Sequence, residues 1–278
     1  RGALQYETSP NDRFVLDSSW NLRNVEGSQQ GDYSEDVHVG SVRLGYNHRV
    51  STNLRFLTQG EFARDSEHTS ERVLRDITVA VPEWNEEFSV GSIGDEYTSQ
   101  RTYRNSLATQ MIYTSHYLDS VSGIEGLYAD TSRRGSYELL EIQDVPPFTT
   151  SASSSSGNLS SGTAYEYLSL KVPRRATLTL GVDATHIERD LTEVPPFIDG
   201  SGSQGKVSPK FGLVLTPTSW LTGRAAYFEG LRKSVLEDVS SLEPTLVGGI
   251  NQRFNDLSGT ESRNLGFGLD VKDANTLY

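Results

Sequence analysis

Apolar and polar residues alternate along most of this chain, in runs of about ten residues whose period of two is that of a β-strand with one greasy and one wet face. Phe14, Leu16, Trp20 and Leu22 share one side of such a run, while Asp17, Ser19, Asn21 and Arg23 share the other. Val42, Leu44 and Tyr46 mark one face of 37–48, and in the next run Leu54, Phe56 and Phe62 oppose Arg55, Gln59 and Glu61. Leu168, Leu170 and Val172 lead into Leu178, Leu180, Val182 and Ala184, against Lys171, Thr177, Thr179 and Asp183. Val207, Phe211, Leu213 and Leu215 alternate with Lys206, Ser208, Lys210 and Thr216, and Leu265, Phe267, Leu269 and Val271 with Asn264, Asp270 and Lys272.

Compact turns are expected around 10–12, 50–53, 118–120, 173–175, 217–219 and 273–275, with two strand-like runs and a longer polar connection between one turn and the next. A meander that turns tightly at one end and loosely at the other has the form of an antiparallel transmembrane β-barrel, with short periplasmic turns and long extracellular loops. The expected fold is therefore all-β, with about 11–12 strands; 276–278 would open the twelfth. An odd count that stops mid-pattern does not close as a single-chain bacterial barrel, so 1–278 is expected to form part of one larger outer-membrane barrel domain. The absence of an initiator Met and of a signal peptide leads to the same expectation of a mature or internal piece.

Within 65–101, the runs 72–81 and 87–93 predict a hairpin reaching beyond the membrane, and 102–115 should pair with 121–130 around the third turn. The stretch 131–162 is expected to be a long loop whose Ser-rich part, 151–156, forms a solvated tip. Val145-Pro146-Pro147-Phe148 and Val194-Pro195-Pro196-Phe197 echo each other, and consecutive prolines without donors place both in loops at one end of the barrel. Aromatic side chains gather at the opposite end: Tyr6, Phe14, Tyr46, Phe56, Tyr113, Tyr117 and Trp220 flank short turns, as an interfacial girdle would.

Composition narrows the function. Hydrophobic residues make up 35% of the chain and are interleaved with polar ones, as a wall between lipid and water requires; a soluble secreted all-β binding protein remains an alternative. A net charge of −12 offers no basic stripe for phosphates, so no nucleic-acid partner is expected. There is no Cys, hence no disulfide framework or thiolate site to argue from. The five histidines, His38, His48, His68, His116 and His186, lack the spacing of a triad or metal site; no catalytic residue, metal or cofactor is expected and the chain is not read as an enzyme. Asp32, Glu35 and Asp36, or Glu237 and Asp238, lack the alternation of a calcium loop.

Two groups of residues are candidates for function. Arg23, Arg55, Glu61, Arg104, Asp183, Lys210 and Arg224 fall on the polar face of their strands and would line the lumen. The loop 230–260 is long and mixes Leu231, Val235, Leu242, Val247 and Ile250 with charge, enough to fold over a barrel mouth; Arg232, Lys233, Glu237, Asp238, Asn251 and Phe254 are its candidate ligand contacts.

The run Ser208-Pro209-Lys210-Phe211-Gly212-Leu213, then Pro217, Trp220-Leu221-Thr222, Arg224-Ala225-Ala226-Tyr227 and Gly230-Leu231-Arg232, resembles the hairpin of TonB-dependent outer-membrane receptors. Leu242-Glu243-Pro244-Thr245 is similar to the next loop element of that family, with Glu and Pro exchanged. The resemblance implies a 22-stranded barrel with an N-terminal plug. It also implies uptake of a small ligand (metal chelate, cobalamin or oligosaccharide) with energy from a TonB-type complex. Outer-membrane lipid and lipopolysaccharide would surround it. No plug segment or TonB box is recognisable here, and the family shades into plugless barrels joined to a periplasmic module that serve export or surface attachment.

Overall fold

The computed structural model describes residues 2–27, 33–81, 86–141, 148–173, 175–192, 201–232, 241–252 and 259–272. The chain forms β1 (Gly2–Ser9), β2 (Asp12–Gly27), β3 (Tyr33–Arg49), β4 (Leu54–Val81), β5 (Glu86–Thr114), β6 (Leu118–Glu141), β7 (Phe148–Val172), β8 (Ala176–Thr192), β9 (Gly202–Thr218), β10 (Leu221–Leu231), β11 (Leu246–Val247), β12 (Ile250–Asn251) and β13 (Glu261–Val271). Eleven of these make one antiparallel sheet in the order β1 to β10 and then β13, while β11 and β12 pair only with each other. From β1 to β10 consecutive strands are neighbours, as an antiparallel meander dictates. No helix occurs among the described residues.

The alternation read from the sequence is the alternation of the two faces. Register carries it across the sheet: Leu168 opposes Leu180, Leu180 opposes Phe211, Phe211 opposes Tyr227 and Tyr227 opposes Leu265. This outward face stays exposed, with Leu265, Phe267 and Leu269 all about two-thirds accessible or more (68%, 75% and 69%), which is unsupportable in water and natural in lipid. At the tight-turn end Tyr6, Phe14, Tyr117 and Trp220 lie exposed on the rim, and Phe14 stacks on Tyr46 with ring centroids 4.6 Å apart. The inward face holds the buried residues, large and polar alike: Tyr165, Tyr167, Phe228, Glu61, Asp183 and Lys210.

Three expectations are corrected. The third turn is made by Ser115, His116 and Tyr117, three residues earlier than predicted, because the Ser115 hydroxyl both donates to the Leu118 carbonyl and accepts from the Leu118 amide. Residues 65–101 do not interrupt a strand: β4 and β5 run unbroken for 28 and 29 residues, so the extramembrane hairpin continues its membrane strands. The Ser-rich stretch is no loop tip. Residues 151–156 lie in β7, paired with β6 from Ser132↔Ser156 to Tyr137↔Ser151. A ladder supplied by a neighbouring strand satisfies the backbone whatever the side-chain propensity, and tertiary pairing overrides composition there. The turn expected at 273–275, the possible strand at 276–278 and both Pro-Pro pairs lie outside the described residues.

Candidate functional site: the inner wall and its clasp

On the inward face of β3 to β5, β8 to β10 and β13 acids and bases stand across neighbouring strands, with Glu61 directly opposite Arg43 and with Arg104, Lys210 and Arg224 diagonal to their acids. Glu61 on β4 accepts from Arg43 on β3 and Arg104 on β5, both at 3.4 Å, with its own carboxylate almost wholly enclosed. Lys210 on β9 sits 2.7 Å from Asp183 on β8. Arg224 on β10 meets Asp270 on β13 at 2.6 Å. Five of the seven predicted lumen residues thus stand in ion pairs on the inner wall. Arg23 pairs with Glu35 near the extracellular ends of β2 and β3. There the Tyr33 hydroxyl, and then the Arg23 guanidinium, hold the Glu35 carboxyl below the usual carboxylate range. Arg55 is exposed at the periplasmic edge, opposite Arg49.

The loop 230–260 was expected to fold over the mouth, and the segment 241–252 is its described middle part. Instead it lies against the inner wall, below the mouth. Val247 is completely buried among Tyr165, Tyr167, Ala226 and Phe228, with Ile250 packed beside them. The partners on β7 and β9, Tyr167 and Lys210, lie only five and eight residues from the periplasmic ends of their strands, Val172 and Thr218. The segment is a two-residue hairpin: Leu246 pairs with Asn251, Val247 pairs with Ile250, and Gly248 and Gly249 take φ of 54° and 74°. Positive φ at both central positions is what a primed turn requires, and Gly supplies it without strain.

Polar contacts fix both flanks of this hairpin. Lys210 Nζ donates to Glu243 and to the Gln252 side-chain oxygen, each at 2.7 Å, and the Tyr167 hydroxyl donates to Glu243 at 2.6 Å. Gln252 Nε2 donates to the Pro244 carbonyl, closing the segment on itself. Toward β5 and β6, Gln110 donates to the Leu242 carbonyl at 2.6 Å and the Ser241 hydroxyl to Glu125 at 3.2 Å. The clasp therefore bridges the inner wall from β5 to β9. Beyond Leu242 opens a recess of about 260 Å³ lined by inward residues of β2 to β4, among them Arg13, Asp17, Arg43 and Gln59.

Close approach of the clasp depends on Gly212. A side chain there would run into the backbone of Gly248. Gly212→Val is expected to push the hairpin off the wall while leaving the sheet intact. Because the chain has no Cys, the check is thiol labelling of a Val247→Cys reporter, protected in the parent and reactive in the Gly212→Val background.

Of the predicted loop contacts, Asn251 is exposed on β12 and Arg232 follows β10, its amide donating to the Thr260 carbonyl. Lys233, Glu237, Asp238 and Phe254 lie outside the described residues, as does Asp32. Sequence reasoning missed Tyr165, Tyr167, Gln110, Glu243 and Gln252. One signal was readable: Val247-Gly248-Gly249-Ile250 is a Gly-Gly turn between apolar residues, a hairpin mark. Among the described residues no three His, Asp or Glu side chains gather as a metal site would need.

Solved barrels share this architecture. The siderophore receptor PiuA from Acinetobacter baumannii matches with TM-score 0.59 at 11% identity, over 96% of this chain and 46% of its own. The ferric-catecholate import receptor Fiu from E. coli K12, closed form, matches with TM-score 0.61 at 12% identity (98% and 48%), and the copper transporter OprC with 0.62 at 14% (98% and 42%). The chain thus spans less than half the length of these structures, and the likeness is one of fold. No curated protein sequence matches it. The model of the TonB-dependent receptor-like β-barrel matches residues 2–278, so the chain belongs to that family and is a component of the bacterial outer membrane.

Proposed function

We propose that these strands form part of a receptor barrel that takes up a small ligand, of the metal-chelate, cobalamin or oligosaccharide class, across the outer membrane, and that 1–278 lies within a single barrel domain. The observation that carries this reading is the inner wall itself. Its charges are paired across neighbouring strands, so it presents hydrogen-bonding groups to a polar solute without a strong field of either sign to trap it. The similar solved receptors named for siderophores, ferric catecholate and copper favour the metal-chelate class. Arg232 and Asn251, with Lys233, Glu237, Asp238 and Phe254, would meet the ligand where the chain leaves and re-enters the wall. The role is that of a receptor rather than an enzyme, and energy would come from a TonB-type partner.

The test is uptake by cells carrying or lacking the full-length gene. Ferric citrate, a ferric catecholate chelate, cyanocobalamin and maltodextrin serve as labelled probes, with and without an uncoupler. Gene-dependent, uncoupler-sensitive entry of one probe supports import. Equal entry of all four in both strains overturns it and favours a plugless export or attachment barrel.

A further inference from the structure

The clasp bridges β5 to β9, and beside it the inner wall of β2 to β4 runs on to the periplasmic mouth. Its charge changes along the way. At the recess beyond Leu242, Arg43 lies directly opposite both Asp17 and Glu61, a base between two acids. That recess adjoins a second cleft of about 120 Å³ at the rim, since Arg13 and Asn47 line both. The charged groups of the second cleft are three bases, Arg13, Arg49 and Arg55, and two acids, Glu7 and Asp12.

Both acids are already engaged. Glu7 holds Arg13 at 2.6 Å, and Asp12 accepts from the hydroxyls of Ser9 and Tyr46 and lies 2.7 Å from His48. Arg49 and Arg55 are left over. They stand directly opposite each other on β3 and β4, both exposed, and among the described residues neither has a carboxylate partner. Like charges at facing positions destabilise a sheet. The pair nevertheless occurs in a chain that carries an excess of twelve negative charges. The backbone holds it in place, because the Arg49 amide donates to the Asn11 carbonyl at 2.8 Å and ties β3 to the first turn.

We propose that Arg49 and Arg55, with Arg13 beside them, form a binding site at the periplasmic mouth of the lumen for a small solute that carries two or more oxyanion groups. An anion between the two guanidinium forks replaces their repulsion by charge-assisted hydrogen bonds. Position favours a mobile solute as the occupant. The cleft continues from the recess on the lumen side, and arginine-lined constrictions are how pores admit anions. Charge that is balanced at Arg43 and unbalanced at Arg49 and Arg55 draws an anion along the wall toward the mouth without holding it midway. The site is open and its bases are solvated, so binding is weak enough for release. Its use by a transported solute rests on the uptake reading given above, whereas binding itself does not.

The test uses the full-length protein in detergent at low ionic strength, with Asn11→Cys as a thiol at the cleft and any other cysteine replaced. A neutral maleimide labels the thiol, and citrate and pyrophosphate are the probes, one for carboxylate and one for phosphate chemistry. Either anion is expected to slow labelling in a saturable way. In the R49Q/R55Q background the same protection should need about tenfold more anion, since two charge-assisted contacts are lost. R175Q, on the exposed turn before β8, should behave as the parent, and uncharged maltotriose should not protect. Migration with and without boiling shows that each variant is folded, and R55Q alone serves if the double variant does not assemble. An equal anion requirement in parent and R49Q/R55Q, no protection by either anion, or equal protection by maltotriose overturns the proposal. Protection that holds while gene-dependent uptake fails leaves the site standing and removes only its role in import.

Discussion

Replacing Lys210 by Met is expected to cost about 3–5 kcal/mol of stability, the penalty for leaving buried charge without its partner. One ammonium serves Asp183, Glu243 and Gln252 at 2.7 Å each, and it lies 5.4 Å from the Tyr167 ring centroid. The Lys210 and Asp183 side chains keep only 6% and 5% of their accessible surface, so water only partly replaces the lost partner. Hydration of a barrel lumen places the effect toward the lower end of the range. The measurement is guanidinium unfolding of the protein in lipid vesicles, with the cycle Lys210→Met, Asp183→Asn and both. The double variant should recover part of the loss, because it removes an uncompensated carboxylate; strict additivity would show that the pair is not coupled. Lys210→Met should also loosen the clasp, raising thiol reactivity at Val247→Cys as Gly212→Val does.

Leu180→Arg should destabilise the membrane-inserted state by about 2–4 kcal/mol, the cost of a guanidinium on the lipid face near the midplane. Leu180 is four residues above the start of β8, outward, between Leu168 and Phe211. Asp190→Arg, on the same face of β8 but ten residues nearer the extracellular end, should cost close to nothing, because the penalty falls away at the interface. Equal effects at the two positions would mean that the apolar band is not where the register places it. The parent should need detergent for extraction from outer membranes and should migrate differently on gels with and without boiling.

Much of this was legible from residue order. A period of two in side-chain direction is imposed by the strand itself, so Leu180 outward and Asp183 inward needed only the alternation, and the tight turns at 10–12 and 50–53 announced which strands are neighbours. The lumen candidates Glu61, Arg104, Asp183, Lys210 and Arg224 follow from the same parity. Which acid meets which base does not, since it depends on register between strands far apart in sequence; Glu61 finds Arg104 across 43 positions.

Where local signals and pairing compete, only the tertiary structure decides. Residues 151–156 read as solvated coil by composition, yet a neighbouring edge turns them into strand, because hydrogen bonds supplied from the side outweigh weak side-chain preference. The clasp is the stronger case. The apolar residues of the loop 230–260, Leu242, Val247 and Ile250 among them, led to the expectation that it is ordered in part, but they name no partner. Burial against Tyr165, Tyr167 and Phe228 exists only once β7 and β10 are curved around the same lumen. The sequence by itself determined two faces, a strand order and a membrane; the tertiary structure decided what the inner face holds, because contacts between distant segments depend on a curvature that no local pattern encodes.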